Sequence, residues 1–64
     1  MELTKEVISR AIKDFRRANN LTQIQLANKI GVSVMQIMRW ENGKTRPNTL
    51  SLRVLTELKI FSGL

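Results

Sequence analysis

The chain has no cysteine and no histidine. Without cysteine no disulfide can hold the fold. Without either residue a structural or catalytic zinc lacks its usual ligands, so neither a metal nor a cofactor is expected. General-base chemistry also loses its commonest side chain. Acidic residues are few, 5 against 11 Lys plus Arg, and Glu2, Glu6, Asp14, Glu41 and Glu57 are scattered. There is no phosphate-cradling glycine loop and no nucleophile with an adjacent base, so the expectation is that this is not an enzyme. No apolar run approaches the roughly 20 residues that a membrane-spanning helix needs. The polar start Met1-Glu2-Leu3-Thr4-Lys5-Glu6 is unlike a signal peptide. A soluble domain of the cytoplasm is expected, with no membrane partner. Alternating β-branched stretches are missing as well, which leaves little support for strands.

What is present is basic and periodic. A chain of 64 residues makes one small domain, since bodies of this size bury only roughly 60% of the surface they expose when unfolded. Hydrophobic residues form 42% and charged residues 25% of the chain, as in ordinary globular proteins. The apolar residues recur along its whole length, which argues against disorder. The net charge is +6 and the isoelectric point about 11.0. A basic excess of this size favours a polyanionic partner, nucleic acid or an anionic membrane surface.

Four helical segments follow from the spacing of apolar residues. Val7, Ile8, Ala11, Ile12, Phe15 and Ala18 share one face of a helix from about Lys5 to Asn19, with Thr4 as its cap and Asn19-Asn20 as its stop. Ile24, Leu26, Ala27 and Ile30 supply the apolar side of a second helix, Gln23 to Ile30. Thr22 and Gln25 form a capping box before it, and Gly31 ends it. A third helix runs from Val34 to about Asn42, with a second capping box at Ser33 and Gln36 and with Gly43 beyond its end. A basic loop, Lys44-Thr45-Arg46-Pro47, leads to a fourth helix from about Thr49 to Lys59, capped by Asn48. Leu50, Val54, Leu58 and Phe61 form its main stripe, widened by Leu52, Leu55 and Ile60. Leu52, Ile60, Phe61 and Leu64 are expected mainly in the core. The fold class is therefore all-α, a compact bundle of four short helices, with five as the upper bound.

The second and third helices are joined by only Gly31-Val32-Ser33, so they must cross steeply. Leu26, Ile30, Val32, Ile37 and Trp40 face inward, Ala27 is small at the crossing, and Gly31 permits the positive φ of the turn. This is the pattern of a helix-turn-helix at about residues 22–42, in a single domain spanning 1–64. The stretch Leu21-Thr22-Gln23-Ile24-Gln25-Leu26-Ala27-Asn28-Lys29-Ile30-Gly31-Val32-Ser33, followed by Ile37, Arg39-Trp40-Glu41-Asn42-Gly43-Lys44 and Arg46-Pro47, resembles the lambda-repressor-like family of Cro/C1 or XRE type. That resemblance implies an all-helical fold that binds operator DNA, usually as a dimer. Most members carry a fifth helix, for which this chain has little room, so a minimal form or a piece of a larger parent protein is expected.

A major groove admits one α-helix, and the third helix is the one expected there. Ser33, Val34, Met35, Gln36, Met38 and Arg39 point outward from it. The family match puts Ser33, Val34, Met35 and Arg39 at base-facing positions. Arg39 suits guanine, because its fork bonds O6 and N7 together. Val34 and Met35 cannot hydrogen-bond bases and suit thymine methyl groups. Gln36 is placed to reach an adenine or a phosphate, while Met38 lies further round the helix and counts for less. For phosphate, the match points to Gln23 at the start of the second helix, and to Asn42, Lys44, Thr45 and Arg46 after the third. It also implies an ion pair between Arg16 and Glu41. Trp40 is expected in the core rather than as a base-stacking platform.

The expected function is sequence-specific binding of double-stranded DNA by a transcriptional regulator, a repressor acting as a homodimer on a pseudopalindromic operator. Its half-sites would lie one helical turn apart, roughly 34 Å. The alternative is an antitoxin that neutralises a toxin protein through its apolar fourth helix and also regulates its own promoter. Either belongs in a bacterial or phage-infected cell.

Overall fold

The computed structural model describes residues 3–62. These form four helices in the order α1 (Lys5–Ala18), α2 (Gln23–Ile30), α3 (Val34–Glu41) and α4 (Thr49–Glu57). Gly63 and Leu64 lie outside the described residues. After α4 the chain to Ser62 is turn, so the bundle has four helices among the described residues.

Each helix starts on a side chain that accepts a backbone N–H which would otherwise lack a partner. Thr4 accepts from Val7, Thr22 from Gln25, Ser33 from Gln36 and Asn48 from Ser51. At α2 the bond is reciprocal, since Gln25 Oε1 in turn accepts from the Thr22 N–H at 2.8 Å. The capping box expected at Ser33 is one-sided. The Ser33 hydroxyl accepts from the Gln36 N–H at 3.3 Å, and the Gln36 side chain makes no return bond.

The four helix ends share one device. Asn20, Gly31, Gly43 and Lys59 all have positive φ, at 54°, 88°, 69° and 62°. Beyond each, a backbone N–H reaches back five positions: Leu21 to Arg16, Val32 to Ala27, Lys44 to Arg39 and Ile60 to Leu55. This is the left-handed stop that satisfies the last carbonyls of a helix. Glycine or asparagine supplies it at the first three ends, as the sequence suggests. At α4 it falls on Lys59, a residue that adopts this conformation at a cost of about 1 kcal/mol. For that reason α4 ends at Glu57, two residues before the expected limit. The reversal carries Ile60 back into the core, where it is buried.

The core joins all four helices. Ile8, Ala11 and Ile12 come from α1, Leu26 and Ala27 from α2, Ile37 and Trp40 from α3, and Leu55 and Ile60 from α4 and its end. Burying one such large aliphatic side chain contributes roughly 1.5–3 kcal/mol. Helix α3 packs against both α1 and α2, and α4 packs against α2. Trp40 is buried, as expected. Three expected apolar positions fall outside the core. Ala18, at the end of α1, is exposed. Ile24 is 61% exposed, because it stands two residues from buried Leu26 and so on the opposite side of the helix. Leu50 is 70% exposed. The face of α4 turned to the core is centred on Leu55, and Leu50, five residues earlier, stands about 140° away around the helix.

Candidate nucleic-acid interface

The inner and outer faces of α3 are set by helical spacing. Ile37, Trp40 and Glu41 are buried, and Val34, on the same inward stripe, is half-buried against the core. Met35, Met38, Arg39 and Asn42 stand at i, i+3, i+4 and i+7 and are all exposed. Residues at these intervals share one face of a helix. The outer stripe therefore contains Met38, expected outward but given less weight than its neighbours, while Val34, expected at a base-facing position, turns much of its surface inward. Periodicity alone held this signal: Val34 lies three residues before Ile37, and Met38 three after Met35. Ser33 is exposed at the N-cap, and Gln36 is half-buried on a flank of the helix, its amide free of the cap.

Beyond α3 the left-handed Gly43 turns the chain. The Lys44 N–H donates to the Arg39 carbonyl at 3.0 Å, which fixes the backbone of Lys44 one turn below that of Arg39. Asn42 ends the helix by donating its N–H to Met38 at 3.0 Å. Pro47 is buried and anchors the far end of the loop. Asn42, Lys44, Thr45 and Arg46 are left exposed in one short segment between these two anchors.

The orientation of α3 is fixed by a clamp on Glu41, which is only 4% exposed. Arg16 Nε donates to Glu41 Oε2 at 2.8 Å and Arg16 Nη2 to Oε1 at 3.2 Å. Arg16 Nη1 also donates to the Leu21 carbonyl at 3.2 Å. Gln23 Nε2 donates to Glu41 Oε1 at 3.1 Å. The Ser9 hydroxyl donates to the Glu41 carbonyl. The guanidinium pKa is raised, first by its hydrogen bonds to Glu41 and further by that residue's charge, while burial acts in the opposite sense. One carboxylate thus ties α1, the start of α2 and the end of α3 together. Such a pair gains less in net stability than its geometry suggests, because both charges lose water. Its effect is to fix how the three helices meet.

Gln23 and Ser9 are clamp members that the sequence did not assign. Gln23 uses one amide proton on Glu41, which leaves the other for an outside acceptor. Nothing in an 18-residue separation announces that contact. Ser9 had a signal, because it stands seven residues before Arg16 and so on the same stripe of α1.

The electrostatics follow from where the acids are. Between Phe15 and Thr56 the chain contains one acidic residue, Glu41, and it is buried and paired. Arg17, Lys29, Arg39, Lys44, Arg46 and Arg53 are exposed in the same span. What α2, α3 and the following loop contribute to the surface is therefore cationic, with no exposed carboxylate of their own, and the nearest acids are Glu6 and Asp14 of α1, across the groove that Asn42 and Gly43 border.

Two short helices crossing at a tight left-handed turn, with the second held by a clamp and exposed along one stripe, define a helix-turn-helix domain. The Helix-turn-helix family model matches residues 12–58, and the chain belongs to that family, in its Cro/C1-type branch. It is 43% identical over 51 residues, 80% of its own length, to the HTH-type transcriptional activator BcrR of Enterococcus faecalis. The match covers 24% of that relative, so the chain spans about a quarter of its length. No solved structure matches significantly. No described helix is long and apolar enough to cross a membrane.

Proposed function

We propose that this domain binds double-stranded DNA by sequence and acts in transcription regulation. The observation that carries the proposal is the outer stripe of α3 running without a break into a cationic loop, neither of which contributes an exposed carboxylate. Helix α3 enters the major groove. Ser33, Met35, Gln36 and Arg39 face the bases, and Val34 contributes the part of its side chain that the core leaves uncovered. Arg39 takes a guanine through its bidentate fork. Lys44, Thr45, Arg46 and Asn42 contact phosphates, as does the free amide proton of Gln23 beside the unpaired N–H groups that open α2. These backbone contacts set register and affinity.

A body measuring 28 × 21 × 19 Å spans one half-site but not two that lie roughly 34 Å apart. A pseudopalindromic operator therefore takes two copies, and a homodimer on DNA is part of the proposal. Repression follows where the operator overlaps a promoter. The named relative is an activator, and a reporter with the operator moved relative to the promoter decides the sign. A second reading, a protein partner such as a toxin, rests on exposed Leu50, which lines a small groove with Ile30, Val32 and Val54. Stoichiometric co-purification of a small partner from the native host would favour it.

The test is selection of bound duplexes from a random pool, followed by titration at several salt concentrations. The expected result is a two-fold symmetric site and an affinity that falls steeply with salt. A flat salt response, or no preference over random duplex, overturns the proposal.

A further inference from the structure

Ile24, Met35, Met38 and Leu50 are the large apolar side chains most exposed among the described residues. Two of them share the outer stripe of one eight-residue helix. Met35 is 55% and Met38 44% exposed, so neither serves the core. They stand at i and i+3, with Arg39 beside them on the same face. An unbranched thioether side chain adapts its shape to an irregular apolar surface. The charges that α3 and the loop after it expose are Arg39, Lys44 and Arg46, all cationic, which matches a polyanion that also presents apolar groups. In a major groove the apolar group on a base edge is the C5-methyl of a pyrimidine.

We propose that Met35 and Met38 form a ridge that reads pyrimidine C5-methyl groups next to the guanine taken by Arg39. This rests on the DNA-binding reading above and goes beyond it in two ways. It assigns a specificity role to Met38 and moves the centre of apolar readout from Val34 to the Met35–Met38 pair. It also defines the ligand chemically, so that thymine and 5-methylcytosine serve alike and uracil and plain cytosine do not. Met35 and Arg39 are about 6 Å apart along the helix, and successive base pairs about 3.4 Å apart. The methyl groups and the guanine therefore fall within about two base-pair steps of each other.

The experiment uses the duplex selected above in three forms: with thymine, with each half-site thymine replaced in turn by uracil, and with 5-methylcytosine paired to guanine at the same positions. Wild type is expected to lose about fourfold in affinity per methyl group removed at one or two adjacent positions, the factor equivalent to one methylene-sized contact. 5-Methylcytosine should recover affinity relative to cytosine at those positions. The double variant Met35→Ala/Met38→Ala should bind thymine and uracil duplexes alike, with helicity checked by circular dichroism. Both substitutions are at exposed positions, so the fold is expected to persist. Arg39→Ala should keep the thymine preference. Equal binding of thymine and uracil duplexes by wild type overturns the inference and leaves the ridge to a protein partner. A thymine preference that survives in the double variant also overturns it, assigning readout to Val34. Failure to bind the thymine duplex at all is a different result and removes the DNA-binding reading itself.

Discussion

The outer face of α1 and the face made by α2, α3 and their following loop both carry cations, yet they are different kinds of surface. On α1, Lys5, Arg10, Lys13 and Arg17 are interleaved with Glu6 and Asp14. The shallow groove beside the end of α3 is lined by both signs, Arg10, Lys13 and Arg17 together with Glu6 and Asp14. On the other face the single acid is Glu41, and it is turned inward onto Arg16. A net charge of +6 says nothing about this division. What makes one face a surface for a polyanion is the removal of carboxylates from it, by omission along the chain and by burial of the one that remains.

The largest expected effect comes from exposing that carboxylate. Arg16→Ala leaves Glu41 buried with only Gln23 beside it, and the expected loss of stability is about 3 kcal/mol, read as a lower urea midpoint. Arg16→Met with Glu41→Leu should restore much of it, since removing both charges also removes their desolvation. The clamp should not weaken at alkaline pH. A folded-state pKa raised above the unfolded one gives stability that is complete below the unfolded value and lost only as pH rises through the folded value. For Arg16 that window lies above the ordinary arginine range, so the urea midpoint should show no loss from this group up to about pH 10.

A smaller effect separates the two parts of the cationic face. Arg46→Ala should cost about tenfold in affinity at 0.1 M salt for every duplex and lower the salt slope by about one. Arg39→Ala should instead relax one base position. If Arg46→Ala changed base preference, the division between phosphate and base contacts would be wrong. The smallest effect belongs to the mixed face. Lys13→Gln should leave the salt slope unchanged and affinity within about twofold, because this lysine lies on a face of both signs, where Glu6 and Asp14 offset part of the positive charge. A slope reduced by about one would carry the interface onto α1 and dissolve the contrast.

Local chemistry made the helices legible, and packing made the rest illegible. Thr4, Thr22, Ser33 and Asn48 announced four starts, and Asn20, Gly31 and Gly43 three stops, because caps and left-handed turns depend on side chains within a few residues. The fourth stop, at Lys59, carries no such signature. It exists because Ile60 gains burial by turning back. Helical spacing shows which residues share a face but not which face a neighbour covers, so it puts Ile24 and Leu50 inward and understates Leu55. Val34 and Met38 differ from these, since the spacing to Ile37 and to Met35 already separates them. Gln23 could be placed at a helix start, but its bond to Glu41 depends on how α2 and α3 cross.

The helix ends also bear on how fast the domain folds and how long it stays folded. Each stop closes through a backbone bond only five positions long, and the caps span three. Loops this short cost little entropy to close, and domains built mainly from them fold in microseconds to milliseconds. The Arg16–Glu41 contact spans 25 positions, and its geometry needs three helices already in place. A contact of that range is expected to close late, so Arg16→Ala should speed unfolding more than it slows folding, read as a shift of the unfolding limb in stopped-flow kinetics with the folding limb nearly unchanged. On that outcome the buried carboxylate is a latch, and its worth is read as the time α3 stays docked.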